Sequence, residues 1–131
     1  MTRLSEHFTT EELACRCCGA CHVQTSLIDL LELMRSLAGG EPLVVNSCYR
    51  CPSHNAEVGG APNSSHLRGL ACDLHVPDGV RMHRLVRAAF GAGAMGIELG
   101  ADYLHVDVDQ SLPRPCCWIN PAHCREVAAD Q

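Results

Sequence analysis

Two short runs of alternating residues constrain this chain most, because side chains on a β-strand point in turn to opposite faces of a sheet. The runs are LACDLHV at 70–76 and DYLHVDV at 102–108. Alternation places Asp73 and His75 on one face of the first strand, and it places His105 on the more polar face of the second. If the two strands are neighbours, we expect an acid and two histidines to converge on one side of a small sheet.

Two amphipathic segments predict the helices that pack on this sheet. In SLIDLLELMRSLAGG, residues 26–40, apolar side chains recur at helical spacing and two glycines end the pattern. In the second segment, Asp78 caps a helix that continues through GVRMHRLVRAAFGAG. The side chains predicted to point inward are Leu27, Leu30, Leu31, Met34 and Leu37 in the first helix, and Met82, Leu85, Val86 and Ala89 in the second.

The remaining patterns predict shorter elements. TTEEL begins a helix in which Thr9 is the cap and Glu12 reaches back in a capping box. PLVVNS predicts a short strand, CPSHNAEVGG predicts a short helix or turn, and MGIEL pairs with DYLHVDV as a hairpin across Gly100 and Ala101. Together they predict an α+β fold, a small mostly antiparallel sheet with packed helices, in a single domain over residues 1–131. A chain of this length can bury a core without depending on disulfides.

Composition argues against several classes of function. The formal net charge is −5, with only 10 Lys plus Arg, and this argues against a basic surface for nucleic acid. The apolar runs are too short to span a bilayer, and the opening MTRLSEHFTTEEL has no apolar segment with a small-residue cleavage site. We therefore expect a monomer that binds neither nucleic acid nor membrane. We expect it to be cytoplasmic as synthesised, with later release from the cell left open.

Cysteines are abundant, and the ten of them fall into three groups: Cys15, Cys17, Cys18 and Cys21; Cys48, Cys51 and Cys72; and Cys116, Cys117 and Cys124. With no signal peptide visible, reduced thiols or metal ligation are favoured, whereas an oxidising compartment would favour disulfides. The first group, CRCCGACH, offers enough soft ligands for a structural zinc ion. A second metal site and disulfides therefore both stay open for Cys15, Cys17, Cys18 and Cys21.

A candidate metal site lies in SSHLRGLACDLHV at 64–76, where His66 and Asp73 flank a glycine at the change from loop to strand. His105, from the second alternating run, adds a third donor. Three protein ligands that leave a fourth position open are typical of a catalytic rather than a structural zinc site. The spacing alone also fits solvated or capping residues.

Several separate features agree in order and spacing with one known family. They are YRCPSHN, the Val-Gly-Gly after it, the frame Ser-x-His-x-x-Gly-x-Ala-x-Asp, and the closing HVDV. In these features the chain resembles peptidase family M15, the bacterial and phage zinc D,D-carboxypeptidases and L-alanyl-D-glutamate endopeptidases that cut peptidoglycan stem peptides. The family signature Ser-x-His-x(6)-Asp, followed by Asp/Glu-x-x-His, is matched by Ser64, His66, Asp73, Asp102 and His105. The chain departs from the pattern at Cys48, where the family usually has Gly, and at Cys72, where a small residue is usual. Either departure would fit a local disulfide or altered packing.

The resemblance implies a zinc peptidase that acts on peptidoglycan peptides, with Zn²⁺ held by His66, Asp73 and His105. Such a zinc ion polarises the scissile carbonyl and lowers the pKa of its bound water toward neutrality. Asp102 is then implied as the general base that passes the proton of water to the leaving amine. Arg50 is implied as the partner of the developing oxyanion, and Ser64 as a hydrogen-bonding partner of the substrate. Strict alternation would turn Asp102 away from His105, a conflict that disappears if Asp102 lies in the turn before the strand.

Other interpretations remain open. Without the resemblance, Arg50 fits a surface ion pair better, and His75 competes with the other histidines as a ligand. Asp107 would either orient a ligand or make a structural hydrogen bond. For the whole chain, the alternative to an enzyme is a non-catalytic zinc-binding or cysteine-rich binding domain that retains the peptidase fold. If the chain is an enzyme, the sequence also leaves open which peptide bond is cut.

Overall fold

The computed structural model describes residues 2–120, and Cys124, from the third cysteine group, lies outside this range. A five-stranded sheet and four α-helices make up the fold. The elements in chain order are α1 (Thr10–Leu13), α2 (Thr25–Leu37), β1 (Val45–Ser47), α3 (Pro52–Glu57), a 3₁₀ helix (Ser65–Arg68), β2 (Ala71–His75), α4 (Gly79–Ala92), β3 (Gly96–Leu99), β4 (Tyr103–Asp107) and β5 (Cys116–Ile119).

The sheet has the strand order β1-β2-β4-β3-β5. β2 pairs with both β1 and β4 in antiparallel fashion, and β3 pairs with β4 in the same way. Only the β3–β5 pair is parallel within the described range. The predicted α+β class, the mostly antiparallel sheet and the hairpin between β3 and β4 are therefore confirmed.

The hydrophobic core lies between one face of the sheet and helices α2 and α4. Leu74 from β2 and Leu104 from β4 are fully buried, and Leu31 and Leu85 reach them from the two helices. Most predicted inward positions are confirmed, including Leu27, Leu30, Met34 and Ala89. Met82 and Val86 are half-buried and pack against the same cluster.

Leu37 was predicted to point inward, and that prediction is wrong. This residue is 52% exposed and is the last residue of α2. Because the helix ends there, the side chain lies at the rim of the helix pair, close to Gly91 of α4.

The predicted helix boundaries follow local hydrogen bonding. The Thr9 N–H donates to the Glu12 carboxylate at 3.2 Å, as a capping box requires. The Arg81 N–H donates to Asp78 Oδ1 at 2.8 Å and so caps α4. None of the helices between residues 2 and 120 is long and apolar enough to cross a membrane.

Candidate active site

A row of side chains crosses the sheet on the face away from α2 and α4. Asp73 of β2 is directly opposite His105 of β4, and His105 is directly opposite Glu98 of β3. The row continues to Ser47 on β1 and to Trp118 on β5. Strand register therefore brings residues that are far apart in sequence into one line across the sheet.

His66 approaches this row from the 3₁₀ helix and is buried. The Ser64 hydroxyl caps that helix by accepting the His66 N–H at 3.3 Å. Gly69 ends it in the left-handed region with φ of 68°. A side chain there would also clash, because a Cβ would stand 1.9 Å from the carbonyl oxygen of His22. The glycine in the Ser-x-His-x-x-Gly frame thus lets the loop that carries His66 pack against the N-terminal segment.

Three potential metal donors converge where His66 meets the row. His66 Nε2 lies 3.2 Å from Asp73 Oδ1, and His105 Nδ1 lies 2.9 Å from the same oxygen. One ligand atom from each residue lies within 4.8 Å of the other two. The three residues predicted as metal ligands are therefore brought together, and His66, Asp73 and His105 are called the donor group below.

The hydrogen bonds of the two histidines decide which nitrogen faces the centre. His66 Nδ1 lies 2.6 Å from the Cys48 carbonyl oxygen. A carbonyl can only accept, so Nδ1 donates to it and Nε2 is the nitrogen that faces Asp73. His105 Nε2 lies 2.9 Å from Asp107 Oδ2, so Nδ1 is the nitrogen that faces the centre. Such outer hydrogen bonds are the usual way in which metal-binding histidines are oriented.

This donor set fits a metal ion. Burial by itself lowers the pKa of His105, but its hydrogen bonds to Asp107 and Asp73 raise that pKa to about 9. The ring therefore holds a proton at Nδ1 when no metal is bound, and a cation would take the place of that proton. Two imidazole nitrogens and one carboxylate oxygen form a set typical of catalytic zinc sites.

Asp73 is the electrostatic centre of the group. Burial would raise its pKa, but hydrogen bonds from His105 and His66 hold it well below its usual range. Its second oxygen, Oδ2, accepts from Arg50 Nη2 at 3.3 Å. Arg50 also donates to Ser47 Oγ at 3.1 Å and to Asn55 Oδ1 at 3.2 Å. Arg50 is thus held beside the centre, in place of the surface ion pair considered from the sequence.

Asp107 is the hydrogen-bond partner of His105 Nε2, the ring nitrogen that does not face Asp73. It is fully buried, and Arg114 donates to both of its oxygens, at 3.1 and 2.8 Å. Burial would raise the pKa of Asp107, but the hydrogen bonds from His105 and Arg114 lower it to about 2. It thus makes the contact predicted for an acid that orients a ligand.

An open cleft of about 620 Å³ lies over the three donors. Its walls include Arg50, Ser64 and Asp102, the other residues predicted for the site. Asp102 is exposed and lies just before β4 begins at Tyr103, so alternation along the strand does not apply to it. The conflict between Asp102 and His105 is thereby removed. Ser64 lines this cleft while its hydroxyl caps the 3₁₀ helix.

Several other predicted candidates lie elsewhere. His75 is exposed and lines a separate cavity beside α4, so it is not part of the donor group. Cys21 packs against the core, whereas Cys51 lies beside Cys15 and Cys18.

Cys48 and Cys72 form no disulfide, and the nine described cysteines are all free thiols. Both residues are fully buried in the core, where the two side chains hydrogen-bond with each other. Their departure from the family pattern is therefore accommodated by packing under the donor group.

Sequence reasoning missed two acids that bear on the site. Glu98 lines the cleft beside His105, and alternation within MGIEL could have placed it on the polar face. Asp109 is fully buried and accepts from Ser65 Oγ at 2.6 Å and from Arg68, both on the 3₁₀ helix. Its partners on the 3₁₀ helix lie about 40 residues earlier in the chain, so no local pattern indicates that contact.

Two comparisons with known proteins bear on the family of this chain. The zinc D-Ala-D-Ala carboxypeptidase of Streptomyces albus G is 46% identical over 44 residues, which are 34% of this chain and 17% of that protein. The chain thus matches less than a fifth of that relative's length. A family model described as peptidase M15 matches residues 6–107, which is most of the chain and includes all the residues of the donor group. The chain therefore belongs to the peptidase M15 family.

Proposed function

We propose that this chain is a zinc-dependent peptidase that hydrolyses peptide bonds in peptidoglycan stem peptides or cross-links. The observation that carries the proposal is the convergence of His66, Asp73 and His105 under an open cleft that Asp102 also lines. The name of the Streptomyces relative supports both the metal and the class of substrate. Two activities fit equally, a D,D-carboxypeptidase and an L-Ala-D-Glu endopeptidase, because both use the same ligand frame.

The metal is assigned to His66 Nε2, Asp73 and His105 Nδ1. When bound there, zinc would polarise the scissile carbonyl and activate a water molecule for attack. The hydrogen bonds from His66 to the Cys48 carbonyl and from His105 to Asp107 fix the orientation of the two imidazole rings.

Asp102 is assigned as the general base. It is exposed at the edge of the cleft, so it can take a proton from water and give it to the leaving amine without a large conformational change. Glu98 is the third carboxylate in the cleft, after Asp73 and Asp102, and the Tyr103 side chain hydrogen-bonds to it. We therefore assign the base to Asp102 rather than to Glu98.

Arg50 and Ser64 are assigned to the substrate. The Arg50 guanidinium is fixed by Ser47, Asn55 and Asp73. A cation held in this way can stabilise negative charge on the carbonyl oxygen with little reorganisation. The Ser64 hydroxyl, which accepts from the backbone, keeps its own proton for donation to the peptide.

The central experiment combines zinc analysis with a mass-spectrometric digest of defined muropeptides, with and without a chelator. The wild type should contain zinc and release D-Ala or cut after L-Ala, and the chelator should abolish cleavage. His66→Ala and Asp73→Ala should lose both the zinc of this site and the activity. Zinc at this site without cleavage of any muropeptide would favour the alternative, a non-catalytic binding domain that retains the peptidase fold.

The same assay separates base from ligand. Asp102→Asn should keep its zinc but lose roughly a hundredfold or more in turnover, because the amide cannot accept the proton. His105→Ala should lose both, and Glu98→Gln is the matched control that should keep both. If Glu98→Gln is inactive and Asp102→Asn is active, the base is Glu98.

A further inference from the structure

Four cysteine side chains gather at one place outside the cleft. The sulfur atoms of Cys15, Cys18 and Cys51 all lie within 4.8 Å of one another. The thiol of Cys17 hydrogen-bonds to that of Cys51, so Cys51 contacts all three of the others. None of the four lines the cleft over His66. The group is therefore separate from the donor group described above.

The first three of these cysteines lie on a tight loop. The Gly19 N–H donates to the Cys15 carbonyl at 2.9 Å, and the Cys15 N–H donates to the Ala20 carbonyl at 2.8 Å. Gly19 makes this reversal with φ of 76°, a value that favours glycine. The turn brings Cys18 back beside Cys15, the Cys-x-x-Cys spacing at which two thiolates commonly share one metal ion.

The sulfur atoms accept backbone N–H groups. The Cys51 N–H lies 3.4 Å from Cys15 Sγ, and the His54 N–H lies 3.4 Å from Cys51 Sγ. Cys15 thus lies in surroundings that stabilise a thiolate, the form that binds metals.

Arg16 holds this loop in place. Its guanidinium donates to the carbonyl oxygens of Glu11 and Glu12 at the end of α1, at 3.2 and 3.1 Å. It also donates to the Val45 carbonyl on β1 at 3.0 Å. These protein contacts hold the loop in its conformation. The positive charge of Arg16 lies between Cys15 and Cys17 in the sequence.

We propose that Cys15, Cys17, Cys18 and Cys51 hold a structural zinc ion. Four thiolates close the coordination sphere of a tetrahedral zinc ion, so this site would bind no substrate. Zinc binding would displace the remaining thiol protons to solvent. The alternative, free thiols, leaves the sulfur atoms of Cys15, Cys18 and Cys51 within 4.8 Å of one another, with Cys17 hydrogen-bonded to Cys51 and no cation to neutralise them.

The position of this zinc ion gives it a role in the fold. It would connect the loop that carries Cys15, Cys17 and Cys18 to Cys51, which directly follows Arg50 in the chain. The backbone there is already tied on both sides, since the Tyr49 N–H donates to Leu13 and the Arg50 N–H donates to His66. The zinc ion would therefore stabilise the segment that positions Arg50 in the cleft.

The test uses the full-length His66→Ala variant, so that its outcome does not depend on the proposed peptidase activity. This variant should still be purified with zinc. After replacement by Co²⁺, it should show the intense near-ultraviolet charge-transfer absorption of cobalt thiolates, together with the visible bands of a tetrahedral ion. Absence of metal, or cobalt bands without thiolate absorption, would overturn the proposal.

Cysteine variants in the same background locate the ligands. Cys17→Ser and Cys18→Ser, both at exposed positions, should each weaken zinc binding at least tenfold, and Cys21→Ser is the matched control that should not. Zinc loss from Cys21→Ser with none from Cys18→Ser would contradict the assignment, even if another variant failed to fold.

Two further measurements can also overturn it. His54 is an alternative donor, because one of its ring nitrogens lies within 4.8 Å of ligand atoms of Cys17 and Glu57. If His54→Ala loses zinc and Cys17→Ser does not, the four-thiolate site is wrong. Thiol titration of the freshly purified, denatured protein should find these four cysteines reduced, and disulfides among them would refute the site.

Discussion

Asp107 is packed so closely that one added methyl group at its neighbour should disturb it. Gly96 lies opposite Asp107 in the strand pair, and a Cβ at Gly96 would stand 2.2 Å from Asp107 Oδ2. Gly96→Ala should therefore destabilise the fold by about 1–3 kcal/mol, the usual cost of overpacking a buried site. It should also weaken zinc binding, because Asp107 orients His105. Urea unfolding and zinc titration measure the two effects.

Gly91→Ala is the control at the same residue scale. Gly91 lies inside α4, and its nearest neighbour beyond the helix backbone is the exposed Leu37 side chain, at 3.3 Å from the added Cβ. That side chain can move, so the gain in helix propensity should raise the free energy of unfolding by up to about 1 kcal/mol. Equal destabilisation by both substitutions would mean that the contact with Asp107 is not the cause.

At the scale of elements, Asp109 connects the end of β4 to the 3₁₀ helix that carries His66. It accepts from Ser65 and Arg68 on that helix and from Ser111 beyond the strand, and it is fully buried. Asp109→Asn keeps the shape but removes the charge, so it should cost about 1–3 kcal/mol near neutral pH. It should also loosen His66 and weaken zinc binding.

This cost should depend on pH with a definite sign. Burial would raise the pKa of Asp109, but hydrogen bonds from Ser111, Ser65 and Arg68 hold it well below its usual range. A depressed pKa stabilises the folded protein above the unfolded pKa of about 4, and that stability is lost as the pH falls. The difference in unfolding free energy between metal-free wild type and Asp109→Asn should thus shrink from pH 7 to pH 3. A difference that stays constant between pH 7 and pH 3 would contradict this prediction.

For the whole molecule, the three candidate ligands tie together parts that are distant in sequence. His66 comes from the 3₁₀ helix, Asp73 from β2 and His105 from β4, so only the folded chain presents them together. Zinc at about a hundred times its Kd should therefore raise the free energy of unfolding by about 2.7 kcal/mol.

The experiment compares thermal unfolding of the wild type, His66→Ala and His75→Ala over a zinc titration. The part of the stabilisation that His66→Ala lacks belongs to the candidate active site, and His75→Ala should respond like the wild type. A zinc response identical in all three proteins would remove His66 from the ligand set.

Much of the fold follows from patterns that are local in the chain. The apolar faces of α2 and α4, the caps at Thr9 and Asp78 and the alternation in β2 and β4 each depend on residues within a few positions of one another. The His66–Asp73 pair also lies within one loop and strand, so its spacing along the chain is informative by itself. Short-range hydrogen bonds and burial are enough to specify such features.

Tertiary structure alone decided the remaining features. β5 joins the sheet by parallel pairing with β3, and nothing in PCCWIN marks it as a strand. Asp109 accepts a hydrogen bond from Ser65 across 44 residues, and Cys51 rather than Cys21 completes the sulfur cluster. Each of these contacts joins residues whose separation along the chain carries no signal. Such contacts form only when burial of the core aligns the strands and brings the loops together.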